Sequence, residues 1–215
     1  MSMTSGPVPP VAESGTRGRT RRAIIDAAAS VLARDRRATL AEIAKAADVG
    51  RSTLHRYFPD RDQLVLTAAR DSLEMIDQAV RDAAVEQGPP LDAMRRLTTA
   101  LVDTGDRLLF AVGDLQLFEE ISAATEGEDE TERLVVDLIE RGQREGVFDT
   151  GVSAAWIMQA LWALVYAGAE AAQQGTLPRH GVTAHVVRTL EGGILAGGIT
   201  AGGIPAGRGE ETREA

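Results

Sequence analysis

The sequence predicts an all-α protein in which an N-terminal three-helix helix-turn-helix head is joined by a long connector helix to a larger helical body. Two observations of composition carry this. Apolar residues make up 44% of the chain but aromatics only 4%, so Ala, Leu and Val dominate, which favours helix over sheet. No window alternates apolar and polar residues convincingly over the length of a strand. The third observation is the stretch Thr39 to Phe58, TLAEIAKAADVGRSTLHRYF, which holds two short helical patterns around a tight break.

Taken in order, residues 1–15 hold Gly6, Pro7, Pro9, Pro10 and Gly15 and are expected to be a disordered lead-in. Arg17, Arg19, Arg21 and Arg22 follow, either as a basic tail in water or as an arm that meets phosphates or the minor groove. The spacing of Ile24, Ala27, Ala28, Val31 and Leu32 predicts a first helix from Thr20 to Ala33 with these residues inward. Leu40, Ile43, Ala44 and Ala47 then share one face, and Thr39 with Glu42 three residues on forms a capping-box signature. Asp48-Val49-Gly50 supplies the turn. Arg51 to Phe58 puts Leu54, Tyr57 and Phe58 on one side and Arg51, Ser52, His55 and Arg56 on the other. Two short helices so joined, with a basic outer face on the second, form a helix-turn-helix pattern.

Pro59 ends that helix, and Asp60 should cap a long one from Arg61 to Glu86 with Leu64, Val65, Ala68, Ala69, Leu73, Ile76 and Val80 inward. Gly88-Pro89-Pro90 marks a boundary before a helix from Leu91 to Leu101. Gly105 and Gly113 punctuate shorter pieces around Leu108 to Phe110 and Leu115 to Ile121. The acidic run Thr125 to Thr131 lacks the ligand spacing and glycine of a calcium loop and is expected to be a solvated loop. Glu132 to Glu145 is a helix closed by Gly146. Ser153 caps the next, residues 153–174, which is apolar nearly all round through Trp156, Ile157, Leu161, Leu164 and Val165. A last helix runs from Thr183 to Leu195, and the repeats of Gly-Gly-Ile after it predict a disordered tail. The expected divisions are 1–15 lead-in, 16–59 head, 60–197 body and 198–215 tail.

Net charge is −9, but it is unevenly spread. Thr16 to Arg61 holds eleven Lys or Arg against five Asp or Glu, a balance of +6, and the rest holds twelve against twenty-seven, or −15. A basic head on an acidic body suits a DNA reader with a separate regulatory domain. No Cys is present, which removes disulfides, thiolate metal sites and Cys nucleophiles together. His55, His180 and His185 lack metal-ligand spacing, and there is no phosphate-cradling loop or nucleophile elbow. No enzyme activity, metal or cofactor is therefore expected. Neither a membrane-length apolar run nor a signal-peptide centre occurs, so a cytoplasmic protein is expected, and the Ala-, Gly- and Arg-rich composition with a single Lys fits a GC-rich bacterial genome.

The string IAKAADVGRSTLHRYFPDRDQL, with the helix before it, resembles the DNA-binding domain of the TetR family of transcriptional regulators over residues 17–69. The segment ERGQREGVFD resembles the family's regulatory domain less specifically. Three positions depart from the family pattern: Asp48 stands for the usual turn Gly, Gly50 for the usual Ser and His55 for the usual Tyr. The resemblance implies that the long helix connects head to body, and that a small molecule bound among the body helices alters the spacing of paired heads.

For double-stranded DNA the expected contacts are Gly50, Arg51, Ser52, Thr53, His55, Arg56 and Tyr57 on the recognition helix, with Thr39, Lys45 and Arg61 meeting the backbone. One head is small for a specific site, so a homodimer through the two C-terminal helices is expected to read a near-palindrome. Candidate ligand-lining residues are Met94, Leu101, Phe110, Leu117, Phe118, Trp156, Met158, Trp162 and Tyr166, since Met and aromatic side chains suit adaptable apolar sites. Glu119, Glu120 or Asp103 could select a cationic ligand. The function expected is a DNA-binding regulator, in the main a repressor released by a small, largely apolar effector. The alternative is a helical small-molecule binder without specific DNA recognition.

Overall fold

The computed structural model describes residues 15–114, 117 and 128–195. Among them the chain forms nine α-helices: α1 Gly15–Arg34, α2 Leu40–Ala46, α3 Arg51–Tyr57, α4 Arg61–Asp82, α5 Pro90–Asp103, α6 Gly105–Val112, α7 Glu128–Arg144, α8 Ala154–Gln173 and α9 Val182–Ile194. The only β-type pairing among the described residues is an isolated bridge between Phe148 and Leu195. No helix is long and apolar enough to cross a membrane, and no cluster of His, Asp or Glu fit for a metal occurs among the described residues.

The head is α1 to α3, closed around Ile24, Ala28, Leu32, Ile43, Ala44, Leu54 and Phe58, all buried. Ile25 and Ala29 are buried too, whereas the expected Ala27 and Val31 are only partly so. The reason is that α1 packs against α4 and α6 as well as α2, so its apolar face is wider than one stripe. That helix also begins at Gly15 rather than Thr20: Thr20 Oγ1 donates to Thr16 O at 3.0 Å and Arg19 to Thr16 Oγ1 at 3.1 Å, which carries the helix through the arginines. Arg17 to Arg22 therefore lie on a helix, with Arg17, Arg19 and Arg22 exposed.

The connector α4 packs against α1, α5, α6 and α7, burying Leu64, Ala68, Ala69, Leu73, Ile76 and Val80. Asp60 caps it as expected, accepting the Asp62 N–H at 2.8 Å. It stops at Asp82, short of Glu86, because Ala84 turns to a positive φ of 47°. Two guanidinium groups hold the turn that follows. Arg96 donates to the carbonyls of Ala83, Ala84 and Gln87, and Arg141 to those of Val85 and Gly88. A left-handed Ala is disfavoured by about 1–2 kcal/mol, part of which Gly would return to the unfolded chain's entropy. Ala84→Gly is thus expected to raise the unfolding free energy by about 0.5–1 kcal/mol in urea titrations. A loss would show that the turn is not strained at that residue.

In the body, Ser153 caps α8 by accepting the Trp156 N–H at 3.2 Å. The helix α7 spans Glu128–Arg144, so the last four residues of the expected acidic loop, Glu128 to Thr131, are helical. Residues of that loop before 128, the piece from Leu115 to Ile121 apart from Leu117, the lead-in before Gly15 and the tail after Leu195 lie outside the described residues. The helices α8 and α9 pack closely because Gly168 lacks a side chain: a Cβ there would stand 2.7 Å from Val182 Cγ1 and 2.9 Å from Val186 Cγ2.

Head and body are tied by polar contacts around α6. Arg107 reaches Asp26 of α1 and donates to Asp71 of α4 at 2.6 Å, and Arg22 donates to the same Asp71 at 2.6 Å. The amide of Gln173, at the end of α8, donates to Ala33 O at 2.9 Å.

Candidate nucleic-acid interface and ligand cavity

The recognition element is set by local chemistry. Thr39 N–H donates to Glu42 Oε2 at 2.7 Å and Glu42 N–H to Thr39 Oγ1 at 3.3 Å, the reciprocal bonds of a capping box. Those bonds from the Thr39 backbone and side chain hold the Glu42 carboxyl below its ordinary range. Asp48 adopts φ +53°, so the left-handed turn is made by a residue whose short polar side chain tolerates it. Val49 N–H then donates to Ala44 O at 2.9 Å, seating the turn. Gly50 is the N-cap of α3 and leaves that end without a side-chain bond. A Cβ at Gly50 would meet only Ser52 Oγ and Thr53 Oγ1, at 3.9 Å, so the position has room for the hydroxyl it lacks.

Buried Leu54 and Phe58 pin α3 to the head, which turns Arg51, Ser52, His55 and Arg56 to solvent, with Thr53 and Tyr57 half-buried. Thr39, Arg51, His55 and Arg61 come together around one open cleft of about 490 Å³, joined by Arg37 and Leu40. Lys45 is exposed on the neighbouring α2. Arg61 is already engaged, donating to Arg36 O at 2.6 Å and to Ala38 O at 3.4 Å across the link from α1 to α2. Cations also ring the end of α3. The Arg17 and Arg56 guanidinium groups lie 6.0 and 5.7 Å from the Tyr57 ring centre, and Arg21 lies 5.6 Å from that of Phe58. The pairing of Arg17 and Arg21 with these rings has no signal in the sequence beyond the density of arginine.

A second site lies in the body. A half-open cavity of about 750 Å³ lies between α4, α6, α7 and α8, with Met158, Trp162 and Tyr166 along one wall. Leu73 and Ile76 of α4 and Leu108 and Val112 of α6 form the apolar remainder, while Asp77, Thr131 and Glu132 bring polar atoms. The other expected lining residues lie elsewhere. Met94, Leu101 and Phe110 are fully buried in the packed core, Leu117 packs half-buried against it, and Trp156 is 60% exposed. Phe118, Glu119 and Glu120 fall outside the described residues, and Asp103 lines a different cleft, beside Asp26 and Asp106. The carboxylates on the cavity are instead Asp77 and Glu132. Asp77 follows inward-facing Ile76 on the connector, a pairing the sequence displays but does not single out.

One contact joins the two sites. Arg36, in the link between α1 and α2, donates to the carbonyls of Leu109 at 3.2 Å and Phe110 at 2.9 Å, on the last turn of α6. Gly113 makes the reach possible, since a Cβ there would collide with the Arg36 Nη2.

A helix-turn-helix head with an exposed basic recognition face, on a helical body holding a separate cavity, defines the class: a DNA-binding regulator with a ligand-binding domain. Comparison with known proteins agrees. The model of bacterial regulatory proteins, tetR family, matches residues 24–68. The chain is 37% identical over 188 residues to the HTH-type transcriptional repressor LfrR of Mycolicibacterium smegmatis, spanning 86% of this chain and 96% of that protein. It is 30% identical over 141 residues to the HTH-type transcriptional regulator NfxB of Pseudomonas aeruginosa, spanning 65% and 75%. The crystal structure of LfrR from Mycobacterium smegmatis in complex with proflavine aligns with a TM-score of 0.67 at 36% identity, over 84% of this chain and 99% of that one. The chain belongs to the TetR family of bacterial regulatory proteins, which are DNA-binding transcriptional regulators and not enzymes.

Proposed function

We propose that the protein is a repressor that binds a near-palindromic DNA site as a homodimer and leaves it when a small, largely apolar molecule fills the body cavity. The observation that carries this reading is that α4 and α6 form walls of the cavity and also hold the head. Arg51, Ser52, Thr53, His55 and Arg56 are the proposed base-reading set, with Gly50 allowing close approach of the backbone. Tyr57, Thr39, Lys45 and Arg61 serve the phosphates, Arg61 partly by fixing the link it already binds. The related LfrR has been crystallised in complex with proflavine, which supports the ligand-binding half of the proposal.

The proposed dimer face is formed by α8 and α9. Exposed Trp156, Ala163 and Ala167 follow one side of α8, a large anchor followed by small residues that permit close helix approach. A monomeric mass in light scattering at micromolar concentration would sink it.

Selection of bound fragments from genomic DNA at near-physiological salt tests the whole. The expected product is a near-palindrome with half-sites about one helical turn, roughly 34 Å, apart. At that site Arg51→Ala or Arg56→Ala should weaken binding by about 1–3 kcal/mol and relax specificity at one base position. Equal small losses on every sequence would instead assign both residues to phosphates.

A further inference from the structure

We propose that operator binding takes up a proton at His55, so that the head grips DNA more tightly as pH falls, whatever fills the body cavity. The inference rests on reading the head as a sequence-specific DNA binder.

His55 is the observation that leads there. It is exposed on α3 and lines the open cleft between α2 and α3, on the face that buried Leu54 and Phe58 turn to solvent. Its ring makes no hydrogen bond among the described residues, whereas His185 Nδ1 already meets Gly181 O at 2.8 Å. Around it the cleft holds Arg37 from the link, Arg51 from the preceding turn of α3 and Arg61 from the start of α4. The α2 side contributes Thr39, Leu40 and Ala41, and no carboxylate lines the cleft among the described residues. Glu42, next along, is turned back onto the Thr39 N–H and hydroxyl at 2.7 and 2.8 Å, and those bonds keep it ionised through neutral pH. Arg56, the neighbour of His55, places its guanidinium over the Tyr57 ring.

Such a cleft suits an anion or an acceptor, and DNA offers both. A neutral imidazole has one N–H and one bare nitrogen, and the bare nitrogen finds no donor on a phosphate oxygen or on N7 and O6 of guanine. The imidazolium has two N–H donors and a charge opposite to that of DNA, so contact with DNA favours the protonated ring. Linkage then fixes the sign. The complex holds more protons than the separated molecules, so affinity is greatest at low pH and is lost as pH rises. Histidine is the side chain that ordinarily changes charge near neutrality, and the chain holds three His and no Cys. His180 lies in the short turn before α9 and His185 in the first turn of α9, both in the body. His55 is thus the one histidine on the recognition face.

The test is fluorescence anisotropy of the full chain on a labelled fragment recovered by the genomic selection, from about pH 6 to about pH 8 at constant ionic strength. Calorimetry in two buffers of unlike ionisation enthalpy counts the protons. Binding is expected to weaken at least about tenfold across that range, with about one proton taken up per head. His55→Gln should bring the ratio within about twofold and abolish the uptake, and His55→Lys, permanently charged, should be equally flat. Changing His180 and His185 together to Gln should keep the full dependence. Unchanged thermal melts show that the variant heads are folded. A pH effect confined to the selected fragment places the ring on a base edge, and one shared by unrelated fragments places it on a phosphate; either supports the proposal. A flat profile for the parent, a dependence that survives His55→Gln, or one lost with the two body histidines would overturn it and leave the head as a DNA reader. If selection recovers no fragment above background from a cooperatively melting protein, the sequence-specific reading falls and this inference with it.

Discussion

Phe110→Ala is expected to lower the unfolding free energy by about 3–5 kcal/mol, while cavity ligands bind the folded variant within twofold of the parent. The ring is 1% exposed and sits on α6, which packs against α1, α4 and α8, so its removal opens a void where head and body meet. Little relaxation is available there. Arg36 clamps the carbonyl of the same residue at 2.9 Å, and Arg107, three residues back, is bound to α1 and α4. Urea denaturation followed by circular dichroism gives the stability, and calorimetry the affinity. A small stability loss with a tenfold loss of ligand affinity would return Phe110 to the cavity wall, where its residue type alone had suggested it belonged.

Gly142→Ala is expected to destabilise the protein by about 3 kcal/mol, the upper end of the overpacking range. The added Cβ would run into the Phe148 ring, colliding with two of its edge carbons and standing 2.9 Å from Cγ. That ring cannot swing away, because Phe148 is wholly buried and its N–H donates to Gly142 O at 3.1 Å. Moving it would strain the Asp149 N–H bond to Ile194 O, 2.7 Å, and with it the end of α9. The proposed dimer should weaken alongside, as a rise in monomer fraction by light scattering. Combining Gly142→Ala with Phe148→Leu should recover more than half of the loss. Additive effects of the two changes would mean the clash is not between these residues.

What the sequence made legible follows from the range of the interactions. The recognition element was readable because its determinants lie within a few residues: Thr39 with Glu42, Asp48 in a left-handed turn, and Leu54 with Phe58 on one face. Caps at Asp60 and Ser153 were readable for the same reason. The cavity was not, because four helices distant in sequence build it. Met94 and Met158 carry the same side chain, yet one is core and the other lines the space. Thr131 was hidden further by its place at the end of an acidic run that looked like loop, and only an earlier start of α7 turns it into a wall residue. Trp156 misled in the opposite sense, since a large aromatic on an apolar helix suggests an interior place and the structure leaves it 60% exposed.

The last turn of α6 serves two rooms at once. Leu108 and Val112 face the cavity, while Leu109 and Phe110 between them lend their carbonyls to Arg36 of the head. A guest that pushes this turn outward cannot leave the head where it was unless those bonds break, and Arg61 carries any shift of Arg36 on to the start of α4. In the proposed regulator, a displacement of this turn would reach the head through the Arg36 guanidinium, for which Gly113 leaves the room.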